Sequence, residues 1–147
     1  MSKSFKETLI GAWKLVEYSM EDKENPGEKF YPLGEDATGF IVYTPDGYMS
    51  AQMMAAGRPE YAGGRLHTGT LQEMAAAAKG YLAYSGPYEV EEETHTLYHH
   101  MAVSMNPTWL GQTQKRFVKL EGDTITITNS SNNAILVWKR AEDHSGK

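Results

Sequence analysis

The sequence contains no cysteine, which excludes a disulfide framework, a thiolate metal site and a cysteine nucleophile. No apolar run approaches the roughly 20 residues of a membrane-spanning helix, and Met1 to Thr8 lack the apolar core of a secretion signal. A cytoplasmic protein that enters no membrane is therefore expected. Positive charge is also scarce. With 14 basic against 19 acidic residues and a formal net charge of -5, there is no electrostatic footprint for nucleic acid. Catalytic signatures are missing: no nucleophile elbow, phosphate loop, dinucleotide fingerprint or His-Glu-x-x-His. No cofactor is expected, and no metal either. Adjacent His99 and His100 would face opposite sides of a strand, while His67, His95 and His144 fall in a loop, at a strand start and in the tail.

What is present is a succession of short β-rich runs. The 147 residues suit one domain, 1–147, with a substantial core. After a helical turn at Phe5 to Ile10, the first strand spans Gly11 to Glu21 and places Trp13 and Leu15 on one face. Gly39 to Thr44 and Tyr48 to Met54 flank Pro45-Asp46-Gly47, a hairpin signal in which proline presets φ and glycine accepts the positive φ. In the third strand Met49, Ala51 and Met53 turn inward. A glycine-rich loop from Ala55 to Thr70 leads to the chain's one interrupting helix, opened by the capping box Thr70-Leu71-Gln72-Glu73 and stopped at Gly80. Loop and helix read either as packing against a wall or as a lid. Five further strands follow: Tyr81 to Val90, His95 to Met105, Gln112 to Leu120, Thr124 to Thr128 and Ala134 to Arg140, with Glu91-Glu92-Glu93 as a solvated hairpin tip.

Eight strands with mostly short turns predict an all-β fold, an eight-stranded up-and-down antiparallel β-barrel with one short helix between strands three and four; a two-sheet sandwich is the runner-up. Closure predicts that the last strand meets the first, with Arg140 lying across Trp13 to seal one end.

Several ordered motifs carry a resemblance. Tyr31-Pro32-Leu33-Gly34-Glu35-Asp36-Ala37-Thr38-Gly39, Tyr43-Thr44-Pro45-Asp46-Gly47-Tyr48-Met49-Ser50, Tyr84-Ser85-Gly86-Pro87-Tyr88-Glu89-Val90, and His99-His100 followed by Asn106-Pro107-Thr108-Trp109 resemble the lipocalin-like domain family. These are small single-domain proteins of bacteria and fungi, distinct from the secreted lipocalins. The resemblance covers about Leu9 to Arg140. It implies a calycin-like barrel and, because some fungal relatives accompany natural-product pathways, a binding or isomerising role.

Alternation predicts what faces the interior. Tyr84, Gly86 and Tyr88 point inward on strand four. Leu97, His99, Met101, Val103 and Met105 do so on strand five, and Gln112, Gln114 and Arg116 on strand six. The expected ligand-binding set is Tyr43, Met53, Tyr84, Tyr88, His99, Met101, Gln114 and Arg116: an apolar pocket with one polar wall, the composition of a small-molecule site. An inward arginine needs a partner, and Glu17 is the only inward carboxylate offered. A ligand carboxylate, enolate or phenolate is the alternative.

The first functional reading is thus a carrier or sensor of a small hydrophobic molecule with one polar or anionic end. A second is an isomerase or cyclase with His99 or Tyr84 as acid or base and Arg116 steadying negative charge. A third is a filled barrel acting through its surface, or as a homodimer, by way of Tyr48, Phe117 or Trp109.

Overall fold

The computed structural model describes residues 3–129 and 134–146; the expected turn at Asn129 to Asn133 lies largely outside them. In chain order the elements are helix α1 (Phe5–Leu9), strands β1 (Gly11–Glu21), β2 (Lys29–Phe30), β3 (Thr38–Tyr43) and β4 (Tyr48–Met54), helix α2 (Leu71–Lys79), β5 (Tyr81–Glu91), β6 (Thr96–His100), β7 (Val103–Ser104), a 3₁₀ turn at Pro107–Trp109, β8 (Thr113–Glu121), β9 (Thr124–Asn129) and β10 (Ile135–Arg140). Eight of the strands form a closed antiparallel ring in the order β1-β3-β4-β5-β6-β8-β9-β10, with β10 returning to β1. The small strands β2 and β7 lie off the ring, paired with β1 and β5. Among the described residues no helix is long and apolar enough to cross a membrane.

The ring closes where Trp13 stands opposite Arg140. Trp13 is buried and donates its indole N–H to the Leu9 carbonyl at 2.9 Å. The Arg140 guanidinium lies 3.8 Å from the Trp13 ring centroid and donates to the carbonyls of Ile10, at 3.0 Å, and Thr8. Gly11 is needed here. Its φ of +117° is unfavourable for any L side chain, and a Cβ would come within 2.8 Å of Arg140 Nη1. Helix α1 covers this end with buried Phe5 and Leu9. Glu92 holds it from the opposite hairpin, accepting from the Phe5 and Lys6 backbone N–H groups at 2.8 and 3.2 Å, so Glu92 is a helix cap rather than a merely solvated tip.

Two departures from strict alternation matter for the site. A β-bulge in β1 shifts the register between Leu15 and Glu17. The extra residue reverses the parity of the strand: Trp13 and Leu15 are buried before the bulge, and Tyr18 takes an inward position after it, opposite Leu136. Glu17, which alternation had placed inside, turns out to Lys29 at 3.0 Å. The second departure is a break in the predicted fifth strand. Ladder pairing on β6 stops at His100, Met101 bonds instead to Gln112 and Gly111, and Ala102 N–H donates to Ser85. Val103 and Met105, expected inside, are accordingly 64% and 47% exposed. Gly86 lets the backbones come this close, since a Cβ there would lie 1.9 Å from the His100 carbonyl.

The seal predicts a mutational cost. Arg140→Lys keeps the charge but loses the planar fork that serves two carbonyls and stacks on the indole, and should destabilise by about 1–3 kcal/mol in urea unfolding. Gly11→Ala should cost at least about 1 kcal/mol. Unchanged midpoints in both variants would contradict the role given to this corner.

Candidate functional site

Within the ring is a cavity of about 330 Å³, so the barrel is not packed solid. Ile41, Met53, Leu82, Ile127 and Leu136 supply its apolar lining, and Tyr18, Tyr84, His99, Gln114, Arg116 and Trp138 the polar groups. Residues 55–80, the candidate lid, contribute nothing to the lining. Helix α2 has the expected capping box but no buried residue, with Leu71 83% exposed, and it does not line the cavity.

Of the expected ligand-binding residues, Met53, Tyr84, His99, Gln114 and Arg116 line the cavity. Tyr43, Tyr88 and Met101 are buried but stand behind that surface. Tyr88 packs edge-on against Tyr43, with ring centroids 5.0 Å apart, and donates its hydroxyl to the Thr44 carbonyl at 2.8 Å, towards the closed end. Tyr43 supports the site from behind through a 2.9 Å hydrogen bond with His99 Nε2. Gln112 lies at an exposed edge of the cavity. Trp109 is half-buried, packs edge-on to Tyr84 at 5.7 Å and lines the mouth rather than forming an outer patch. Tyr48 and Phe117 are exposed at 55% and 39%. His100 points out, bonded to Glu89 at 2.6 Å and Thr113 at 2.8 Å.

Arg116 is the electrostatic centre. It is 7% exposed, and its Nη1 donates to Gln114 Oε1 and the Lys115 carbonyl, both at 3.2 Å. Among the described residues no carboxylate pairs with it. Its neighbours are neutral. Burial raises the pKa values of Tyr18, Tyr43 and Tyr84, with the Arg116 charge pulling each back down. Burial, and then the Arg116 charge, lowers His99 from the ordinary 6.5 to about 3, leaving a neutral imidazole at physiological pH.

Among the described residues, two buried side-chain polar atoms have no hydrogen-bond partner: His99 Nδ1 and Trp138 Nε1. Among the described residues the Tyr43 phenol has no hydrogen-bond partner other than His99 Nε2. The assignment that satisfies its proton is donation to Nε2, which leaves the imidazole proton on Nδ1. Residues that line the cavity therefore carry two unmet, buried polar groups in addition to the cation. Sequence patterning missed Trp138 as a lining group, although it shares a face with Leu136, and missed Tyr18, whose inward turn depends on the bulge.

The His99 shift fixes a pH dependence. A histidine whose folded pKa lies below its unfolded value binds protons more readily when unfolded, so stability falls as pH drops from about 6.5 towards about 3. His99→Gln should flatten the fall in unfolding free energy over that window while keeping an acceptor or donor for Tyr43. An unchanged slope in urea titrations at stepped pH would refute the buried neutral state.

Comparison with known proteins agrees with the fold. The lipocalin-like domain model matches residues 10–141. An Aspergillus oryzae protein named 4'-hydroxy-3'-methoxypropiophenone carrier protein ppsC is 34% identical over 106 residues, 63% of this chain and 96% of that one. Among solved structures, a DUF4847-family protein from Bacteroides vulgatus superposes with a TM-score of 0.46 at 7% identity, covering 92% of this chain and 96% of that one. A Schistosoma mansoni fatty acid binding protein in complex with arachidonic acid superposes with a TM-score of 0.41 at 17% identity, covering 93% and 98%. Superpositions this loose carry no weight for function. The extent of the domain match and the similarity to the Aspergillus protein do carry weight for kinship, and on those grounds the chain belongs to the lipocalin-like domain family.

Proposed function

We propose that the barrel binds and carries a small, mostly apolar molecule bearing one polar or anionic end, held inside the cavity by Arg116. The observation that carries this reading is a buried, cavity-lining guanidinium with no carboxylate partner among the described residues. Burying an unpaired charge is costly, and a ligand anion offsets that cost while taking charge-assisted hydrogen bonds from the fork. Tyr84 and the His99 Nδ1–H stand ready to add neutral donors at the same end. A cavity of about 330 Å³ lies near the lower limit of small-ligand pockets, ~300–1,000 Å³, which fits a single ring or a short chain better than a long-chain lipid.

The Aspergillus relative is named as the carrier of an aryl ketone with hydroxyl and methoxyl groups, a molecule of this size and polarity. Proton-transfer chemistry has less support. An imidazole with a pKa of about 3 is a weak base, and its Nε2 is already engaged by Tyr43.

The test is titration of the purified protein with 4'-hydroxy-3'-methoxypropiophenone, followed by tryptophan fluorescence and calorimetry. Saturable one-to-one binding is expected, and Arg116→Met should weaken it by roughly tenfold to a hundredfold. Equal affinity in the variant would sink the assignment of Arg116.

A further inference from the structure

We infer that the ligand carries a second, uncharged acceptor oxygen at the end remote from its anionic group, and that Trp138 Nε1–H binds it. This rests on the carrier reading above and adds the chemistry of the ligand's other end.

Trp138 is fully buried, belongs to the cavity lining, and has an indole N–H without a partner among the described residues. The fold can supply an acceptor to an indole that it buries: Trp13 donates to the Leu9 carbonyl at 2.9 Å. At Trp138 no such acceptor is built, although an unsatisfied buried donor is destabilising. An indole nitrogen only donates, so the missing partner is an acceptor: a carbonyl, ester or ether oxygen.

The ladder sets Trp138 and Arg116 at different levels of the barrel. Trp138 pairs with Ile125 of β9, whereas Arg116 pairs with Asn129 of the same strand. Four residues of strand separate the two levels, roughly 13 Å at about 3.3 Å per residue. Gln114 draws the guanidinium further from Trp138, towards the start of β8. The intervening inward rung is Ile127 opposite Leu136, both lining the cavity and both apolar. His99 belongs with the Arg116 end, since the Arg116 charge acts on it directly. The lining thus reads cation, apolar middle, neutral donor. It fits a compact molecule with an ionisable hydroxyl or carboxyl at one end and a carbonyl or similar oxygen at the other, such as a para-hydroxyaryl ketone.

The experiment compares 4'-hydroxypropiophenone with 4-propylphenol, which lacks the ketone, on the native protein and on Trp138→Phe. The native protein should bind the ketone about tenfold more tightly, the worth of one buried hydrogen bond. Trp138→Phe should abolish that preference, the two probes then binding with equal affinity, and a cooperative urea unfolding transition shows separately that the variant is folded. On ¹⁵N-labelled native protein the Trp138 indole N–H resonance should move downfield with the ketone and not with 4-propylphenol. A ketone preference that survives in Trp138→Phe, or an indole shift equal for both probes, overturns the inference and leaves the carrier reading intact. If neither probe binds the native protein, both fall.

Discussion

The antiparallel pairing of β10 with β1 is the constraint on which the rest depends. Without it the strands would form an open sheet with two faces and two free edges; with it, alternation along every strand sorts side chains into a lining and an outer surface. Much of the chain's local chemistry converges on this seam. Gly11 adopts a backbone angle that leaves room for Arg140, Arg140 stacks on Trp13 and satisfies carbonyls at the end of α1, and α1 is itself capped by Glu92 from a hairpin elsewhere in the ring. The closed end is therefore tied to three parts of the sequence at once.

A cavity sealed at one end imposes its own electrostatics. Arg116 sits where a carboxylate partner would normally be expected, yet its surroundings are phenols, an amide and a neutral imidazole. Each of these tolerates a nearby cation, and His99 is held uncharged partly because Arg116 is present. The outcome is a lining richer in donors than in acceptors, a polarity that the protein alone leaves unbalanced. On the proposed carrier reading, complementarity to an electron-rich guest would follow from that imbalance rather than from any single residue.

Most of the architecture is legible in the sequence because it rests on period-two patterning and turn chemistry. The Pro45-Asp46-Gly47 hairpin, the strict alternation of Thr124 to Thr128 and the box at Thr70 and Glu73 are each determined locally. What escapes is whatever depends on a partner strand. The bulge after Leu15 leaves no mark in composition, yet it sends Glu17 outward and Tyr18 inward, exchanging a carboxylate for a phenol beside Arg116. The break after His100 arises from Met101 bonding to the chain before β8 and from the close approach allowed by Gly86. Alternation puts Trp138 on one face with Leu136 and Arg140, but only the assembled ring shows that its N–H has no acceptor among the described residues.

The segment between β7 and β8 has a separate significance. Asn106 caps a 3₁₀ turn there, and Trp109 and Gln112 lie at the mouth of the cavity, yet the turn itself takes no part in the ring's ladder. Insertions or substitutions in it would reshape the doorway while sparing the cylinder. On the carrier reading, a change of guest would then need only a few residues of connecting chain, with the scaffold left as it is.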